Sequence, residues 1–279
     1  MSENIKTEIS EWHYDLNIHP ARREFIVGDV HGRMDLLCAL LPILQDYASY
    51  KEAGLTFLGD LINRGQDSLG CLGIALSNVV NFVETRLIIG NHEMSVLMVM
   101  AGKYALRPTE IPSLINEVIA AKNPEKDTFE NSLASALSTR MKTIDIDLEC
   151  GSGREMVDRF IDSQAIALNG NIALVHAGID PKFKLQSIMK QMSVKKMIEE
   201  CNIGPLLIQD EFLNYRDPME SNLIAIHGHT PERGKHGKGR LDDHFLKNHR
   251  LGLDGGKDAV VAAEIGRHGY RIFRASTIF

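Results

Sequence analysis

Short apolar runs that stop at glycine recur through the first hundred residues. "EFIVGD" (24–29), "LTFLGD" (55–60) and "RLIIGN" (86–91) lack polar alternation, which predicts strands buried on both faces of a sheet. Helical patterns follow each of them, over 34–50, 67–80 and 93–106. Pro42 falls inside the first, so that helix kinks there or begins late. The repeated strand–loop–helix order predicts parallel strands joined by right-handed crossovers. Farther on, an Asn-Gly turn in "ALNGNIAL" (167–174) predicts a hairpin leading into the strand "NIALVHAG" (171–178). "NLIAIHGHT" (222–230) predicts a fifth strand; "HRLGLDGG", "AVVAAEIG" and "YRIFRAS" predict further ones, read as antiparallel. The expected class is α/β (α+β), with two sheets packed face to face and helices outside.

Polar residues gather where the strands end: Asp29, His31, Asp60, Asn91, His92, His176 and His229. In such sheets ligands collect at the carboxyl ends of the strands. Carboxylate, amide and imidazole donors without thiolates suit Mn, Fe or Zn. The set is too large for one tetrahedral ion. It matches two metals sharing a carboxylate at about 3.5–4 Å, with open positions for water. His31 alone would be an ordinary loop histidine; Asp29 two residues earlier gives it weight. His227 would alternate to the other side of its strand and pack there.

Composition narrows the setting. With 279 residues and 44% hydrophobic content the chain can bury one large core. A net charge of −6 argues against a globally basic surface for nucleic acid or anionic membrane. No stretch approaches the roughly 20 apolar residues of a membrane span. The N-terminus lacks the apolar core of a secretory signal. Cys38, Cys71, Cys150 and Cys201 lie far apart, without CxxC spacing, so the expected setting is reducing and cytoplasmic. Residues 1–22 read as an N-terminal extension whose Trp12 and Tyr14 either tether it or leave it loose. The main domain is expected over 23–279. It includes a helical insertion at about 101–165, whose segment 127–142 opens with Asp127 and Glu130 in capping-box spacing.

"GDVHG" (28–32), "GDLINRG" (59–65), "GNHE" (90–93), "HAG" (176–178) and "GHT" (228–230) stand in the order of one known group. They resemble the metallophosphoesterase superfamily and, within it, the phosphoprotein phosphatase family. The bacterial and phage branch, typified by the lambda-phage serine/threonine phosphatase, is the nearest in motif. The resemblance spans roughly 24–100 and 170–256, and five ordered motifs make chance agreement very small. It implies a calcineurin-like β-sandwich of two mixed sheets under a helical cap. It implies two divalent ions, Mn²⁺ first, with Fe, Zn, Co or Ni as alternatives. Asp29 and His31 would hold one ion, Asn91, His176 and His229 the other, with Asp60 between. His92 would protonate the leaving oxygen and Arg64 would grip the phosphoryl oxygens. The implied reaction is direct attack of a metal-bridging hydroxide on phosphorus.

Two positions depart from the family pattern. Asn63 stands where the family has an aspartate that pairs with the acid histidine. An amide can hold the His92 ring but cannot stabilise an imidazolium by charge. "LLIQDEFL" (206–213) stands where a second phosphate-gripping arginine is usual, which leaves Arg216 in "NYRDP" as a substitute. The leading expectation is a serine/threonine protein phosphatase acting on phosphorylated proteins. The alternative is a hydrolase of diadenosine tetraphosphate or another small phosphate ester, a group in which many members also lack that aspartate. A third reading, a binding module of the same fold, is opposed by the intact donor set. Sequence leaves the oligomeric state open.

Overall fold

The computed structural model describes residues 4–15, 17–48, 52–100, 162–181, 194, 210–231 and 249–278. Two sheets face each other. The larger has the order β1–β11–β10–β3–β4–β5, and β2 also pairs with β11. Its strands are β1 (Asn4–Ile9), β2 (His13–Tyr14), β3 (Glu24–Val27), β4 (Gly54–Phe57), β5 (Thr85–Leu87), β10 (Ala259–Gly266) and β11 (Gly269–Ile278). The smaller, β6–β7–β8–β9, comprises Ile166–Asn169, Ile172–Val175, Ile224–His227 and Arg250–Gly252.

The unbroken apolar runs are buried as expected: every residue of β3, β4, β7 and β8 is inaccessible to solvent. Alternate side chains serve two cores. Ile26, Leu58, Ile172, Leu174, Ile224, Ile226, Val261 and Ala263 fill the space between the sheets. Phe25, Val27, Ala173, Val175, Ala225 and Ala262 point to the outer layer. Helix α1 (Met34–Tyr47) covers the large sheet through Leu36, Leu37, Leu40 and Leu44, spaced for one helical face. It runs through Pro42 as a single helix. Helix α2 (Ser68–Leu76) is buried along its length, and the Asp67 carboxylate caps it by accepting from the Gly70 amide at 2.8 Å. Helix α3 (Asn91–Met100) sets Met94 and Val96 into the core. The short helix α4 (Asp210–Asn214) brings Phe212 against the smaller sheet's outer face.

Strands β3, β4 and β5 are parallel neighbours, as the strand–loop–helix order required. The Asn-Gly hairpin also forms: Asn169 stands opposite Ile172, and Gly170 takes the left-handed conformation the turn needs. One expectation needs correction. β9 lies parallel to β8, whereas β10 and β11 are antiparallel to each other. Residues 228–249 separate β8 from β9, long enough for the crossover that parallel pairing demands. The N-terminal arm joins the large sheet: β1 pairs with β11, and Trp12 stacks on the Arg271 guanidinium. Most of the insertion at 101–165, with its expected helices, lies outside the described residues. Its return, Gln164, bridges to Ile88 beside β5. No helix among the described residues is long and apolar enough to cross a membrane.

Candidate metal centre

Five strand ends from both sheets converge on one rim. β3 delivers Asp29 and His31, β4 delivers Asp60, and α3 opens with Asn91 directly after β5. β7 delivers His176 and β8 delivers His229. The loops are laced together. Val30 and His31 donate to the Asp60 carbonyl at 3.1 and 2.8 Å, and Gly65 donates to the His31 carbonyl at 2.7 Å. Gly65 packs on Gly32 so closely that a Cβ at Gly65 would sit 2.4 Å from the Gly32 carbonyl carbon. That contact explains why both loops carry glycine there. His31, Asp60, Asn63, Arg64 and His229 all adopt positive φ, between 49° and 68°. Each such residue costs about 1–2 kcal/mol. Strain concentrated this way is characteristic of functional sites.

Hydrogen bonding fixes the tautomers. His176 must donate from Nδ1 to the Leu58 carbonyl, 2.8 Å away, because that oxygen only accepts. Its Nε2 lone pair then faces Asn91 Oδ1 at 2.9 Å, His229 Nδ1 at 3.2 Å and Asp60 Oδ1 at 3.4 Å. His229 Nδ1 is also 2.8 Å from Asn91 Oδ1. His31 likewise donates from Nδ1 to the Ile62 carbonyl at 3.3 Å. Its Nε2 lone pair looks toward Asp29 Oδ2 at 3.6 Å and Asp60 Oδ2 at 3.8 Å. Asp60 thus turns one oxygen to each side. Asp29 Oδ2 is buried without a hydrogen-bond partner.

So many lone pairs pointing at common centres, with one orphaned carboxylate oxygen, suit divalent cations. His31, Asp60 and His92 form one group whose donor atoms lie within 4.8 Å of one another; Asp60, His176 and His229 form a second. Asp29 adjoins the first through His31, and Asn91 adjoins the second. Electrostatics agree with the geometry. Burial pushes the Asp29 carboxyl well up, with Asp254 and Asp60 adding to it, and raises Asp60. Burial lowers His176 and His229 to about 4 and His31 to about 2, so these imidazoles are neutral near pH 7, the form that can donate a lone pair to a metal.

His92 is partly exposed above Asp60, Nε2 to Oδ2 3.8 Å, and burial lowers its pKa. Its Nδ1 meets the Asn63 amide nitrogen at 2.8 Å. Arg64 is exposed, yet its charge acts on His31, Asp60, His92, His229 and Asp254, so it lies near the cluster. Arg216 is exposed beyond α4, and no described contact joins it to the cluster. His227 is fully buried on the opposite side, edge-on to Phe212 at 5.2 Å, as its alternation required.

Two residues matter more than sequence reasoning allowed. The buried Glu93 carboxylate accepts from the amides of Asp60, Leu61, Ile62 and Gly90 at 2.7–3.2 Å. It ties the Asp60 loop to α3, and burial with the nearby Asp60 charge pushes it up to about 8. Its place in "GNHE" was the available signal. Asp254, in the "HRLGLDGG" segment, accepts from the Gly256 amide at 2.7 Å and is buried near Asp29 and Asp60.

The family model for calcineurin-like phosphoesterases matches residues 25–262, a span enclosing every one of these side chains. The chain belongs to that family. Among curated relatives, a "Bis(5'-nucleosyl)-tetraphosphatase, symmetrical" of Haemophilus ducreyi is 25% identical over 205 residues, covering 72% of this chain and 62% of the relative. The protein of the same name from Salmonella paratyphi A is 29% identical over 203 residues, covering 71% and 55%. The chain therefore covers less than two thirds of either relative's length. A solved metallophosphoesterase from Sphaerobacter thermophilus has 15% identity and a TM-score of 0.43, over 92% of this chain and 89% of that one. The relatives' name is that of the alternative reading, and the protein-phosphatase reading finds less support.

Proposed function

We propose that this chain is a two-metal hydrolase of phosphoric anhydrides, with a dinucleoside tetraphosphate as its preferred substrate and symmetrical cleavage as its outcome. Asp29 and His31 would hold one ion, Asn91, His176 and His229 the other, and Asp60 both; Mn²⁺ suits this donor set, as do Fe, Zn, Co and Ni. When bound, the ions supply Lewis acidity and a water acidified enough to attack phosphorus near neutral pH. Arg64, exposed near the cluster, would hold the phosphoryl oxygens through its planar fork of donors. Arg216 would assist from its exposed segment once a long substrate is bound.

The contact between Asn63 and His92 carries the choice of substrate. Among the described residues His92 Nδ1 meets the Asn63 amide and no carboxylate, and burial lowers the ring's pKa. A serine or threonine leaving group departs as a strongly basic alkoxide and needs a proton. A nucleotide leaves as a phosphate whose second pKa is about 6 and needs far less help. The curated relatives' name points the same way. The scattered cysteines, without CxxC spacing, suit a reducing, cytoplasmic setting.

The test compares diadenosine tetraphosphate, a phosphoserine peptide and p-nitrophenyl phosphate under one Mn²⁺ condition. The reading expects the dinucleotide to be turned over fastest, yielding only ADP. Faster turnover of the phosphopeptide would overturn it and restore the protein phosphatase.

A further inference from the structure

Strand β1 is the outermost strand of the large sheet, with β11 on one side and no described strand on the other. Two hydrogen bonds fix which of its main-chain groups face outward. Ser10, in register with Ile272, donates to the Ile272 carbonyl at 2.9 Å. Across the sheet, Gly28 donates to Val261 at 2.9 Å, so Ala262 and Glu264 bond toward β11 and leave Ile272, Arg274 and Ser276 to face β1. Both lead to the same parity. Asn4, Lys6 and Glu8 direct their amides and carbonyls to β11; Ile5, Thr7 and Ile9 direct theirs outward.

An antiparallel copy of the same strand must therefore set Ile5, Thr7 and Ile9 against one another. Centring the two-fold axis on Lys6 opposes lysine to lysine, and centring it on Glu8 opposes glutamate to glutamate. Centring it on Thr7 opposes Lys6 to Glu8 twice and Ile5 to Ile9 twice. Like charges opposed across strands destabilise pairing, and unlike charges favour it. Lys6 and Glu8 share a strand face, where they already pair at 2.7 Å. Ile9 is 39% exposed and would gain cover from Ile5 of the copy. The β1–β11 register is unbroken, and β1 has no proline, the devices that usually blunt an exposed edge.

We propose that two copies of this chain pair antiparallel along β1 about a two-fold axis through Thr7, joining their large sheets into one. The contact is isologous, so it closes at a dimer. β11 and β10 separate it from β3 and the metal cluster, so it leaves the rim open.

The experiment is sedimentation equilibrium of the full chain over a concentration series, with circular dichroism and thermal unfolding to confirm folding. Wild type is expected to dimerise. Lys6→Glu, which opposes glutamates twice, should raise the dissociation constant by at least about tenfold. The double variant Lys6→Glu/Glu8→Lys should restore the wild-type constant, because the swapped pairs are again complementary. Thr7→Pro removes the axial amide donor, which faces solvent in the single chain, and should abolish the dimer while keeping the fold. A wild type that stays monomeric throughout would overturn the proposal. So would a dimer indifferent to Lys6→Glu and Thr7→Pro.

Discussion

Asp60 turns Oδ1 toward His176 Nε2 at 3.4 Å, while its Oδ2 lies 3.8 Å from His31 Nε2. One carboxylate thus belongs to both donor groups, and its position depends on a backbone held at φ 50°. Asp60→Asn should therefore weaken both ions together. Mass spectrometry should show the metal content of the purified chain falling well below that of wild type, and turnover should drop by more than about 100-fold. A variant that keeps two metals and full activity would remove the bridging assignment.

Asn63 holds the His92 ring through its amide, 2.8 Å from Nδ1. Asn63→Asp would place a carboxylate at His92 Nδ1 and favour the imidazolium. Turnover of a phosphoserine peptide should rise by about tenfold, a fraction of the roughly 100- to 10,000-fold a positioned general acid supplies, while that of the dinucleotide changes little. Steady-state kinetics on both substrates checks this. An equal change on both would mean that His92 does not protonate the leaving group.

Gly228 lies against Asp29: a Cβ there would come 2.0 Å from Asp29 Oδ1, the oxygen that accepts from the His229 amide. Gly228→Ala must push that carboxylate aside. Metal titration should show one ion bound much more weakly, by about 10–100-fold, with the Asn91, His176 and His229 side less affected.

Glu93 is a matter of stability. Glu93→Ala would leave four backbone amides without their acceptor in a dry loop, at a cost of about 3 kcal/mol or more. The thermal midpoint should fall by about 5–10 °C, followed by circular dichroism. An unchanged midpoint would mean that water replaces the carboxylate.

Much of the fold was legible because both-faces-buried strands and one-face helices leave different periodicities. The runs ending in Gly-Asp and Gly-Asn announced β3, β4 and β5, and the turn before Ile172 announced its hairpin. The direction of β9 was not legible, since three residues, Arg250–Gly252, read alike in either orientation. Sequence could not show that Asp254 comes close to Asp29, because the two lie more than two hundred residues apart in the chain. Glu93 stood in plain sight in its motif, but its task, binding amides thirty residues away, is tertiary.

Sequence alone determined which side chains reach the rim: strand ends place Asp29, His31, Asp60, Asn91, His176 and His229 there through local periodicity and glycine. Only the tertiary structure decided how they meet. The Leu58 and Ile62 carbonyls set the imidazole tautomers, Glu93 holds the Asp60 loop, and the packing of two sheets brings His176 and His229 to Asn91. These partners lie far apart in the chain, and hydrogen-bond geometry across such distances leaves no periodic trace in a sequence.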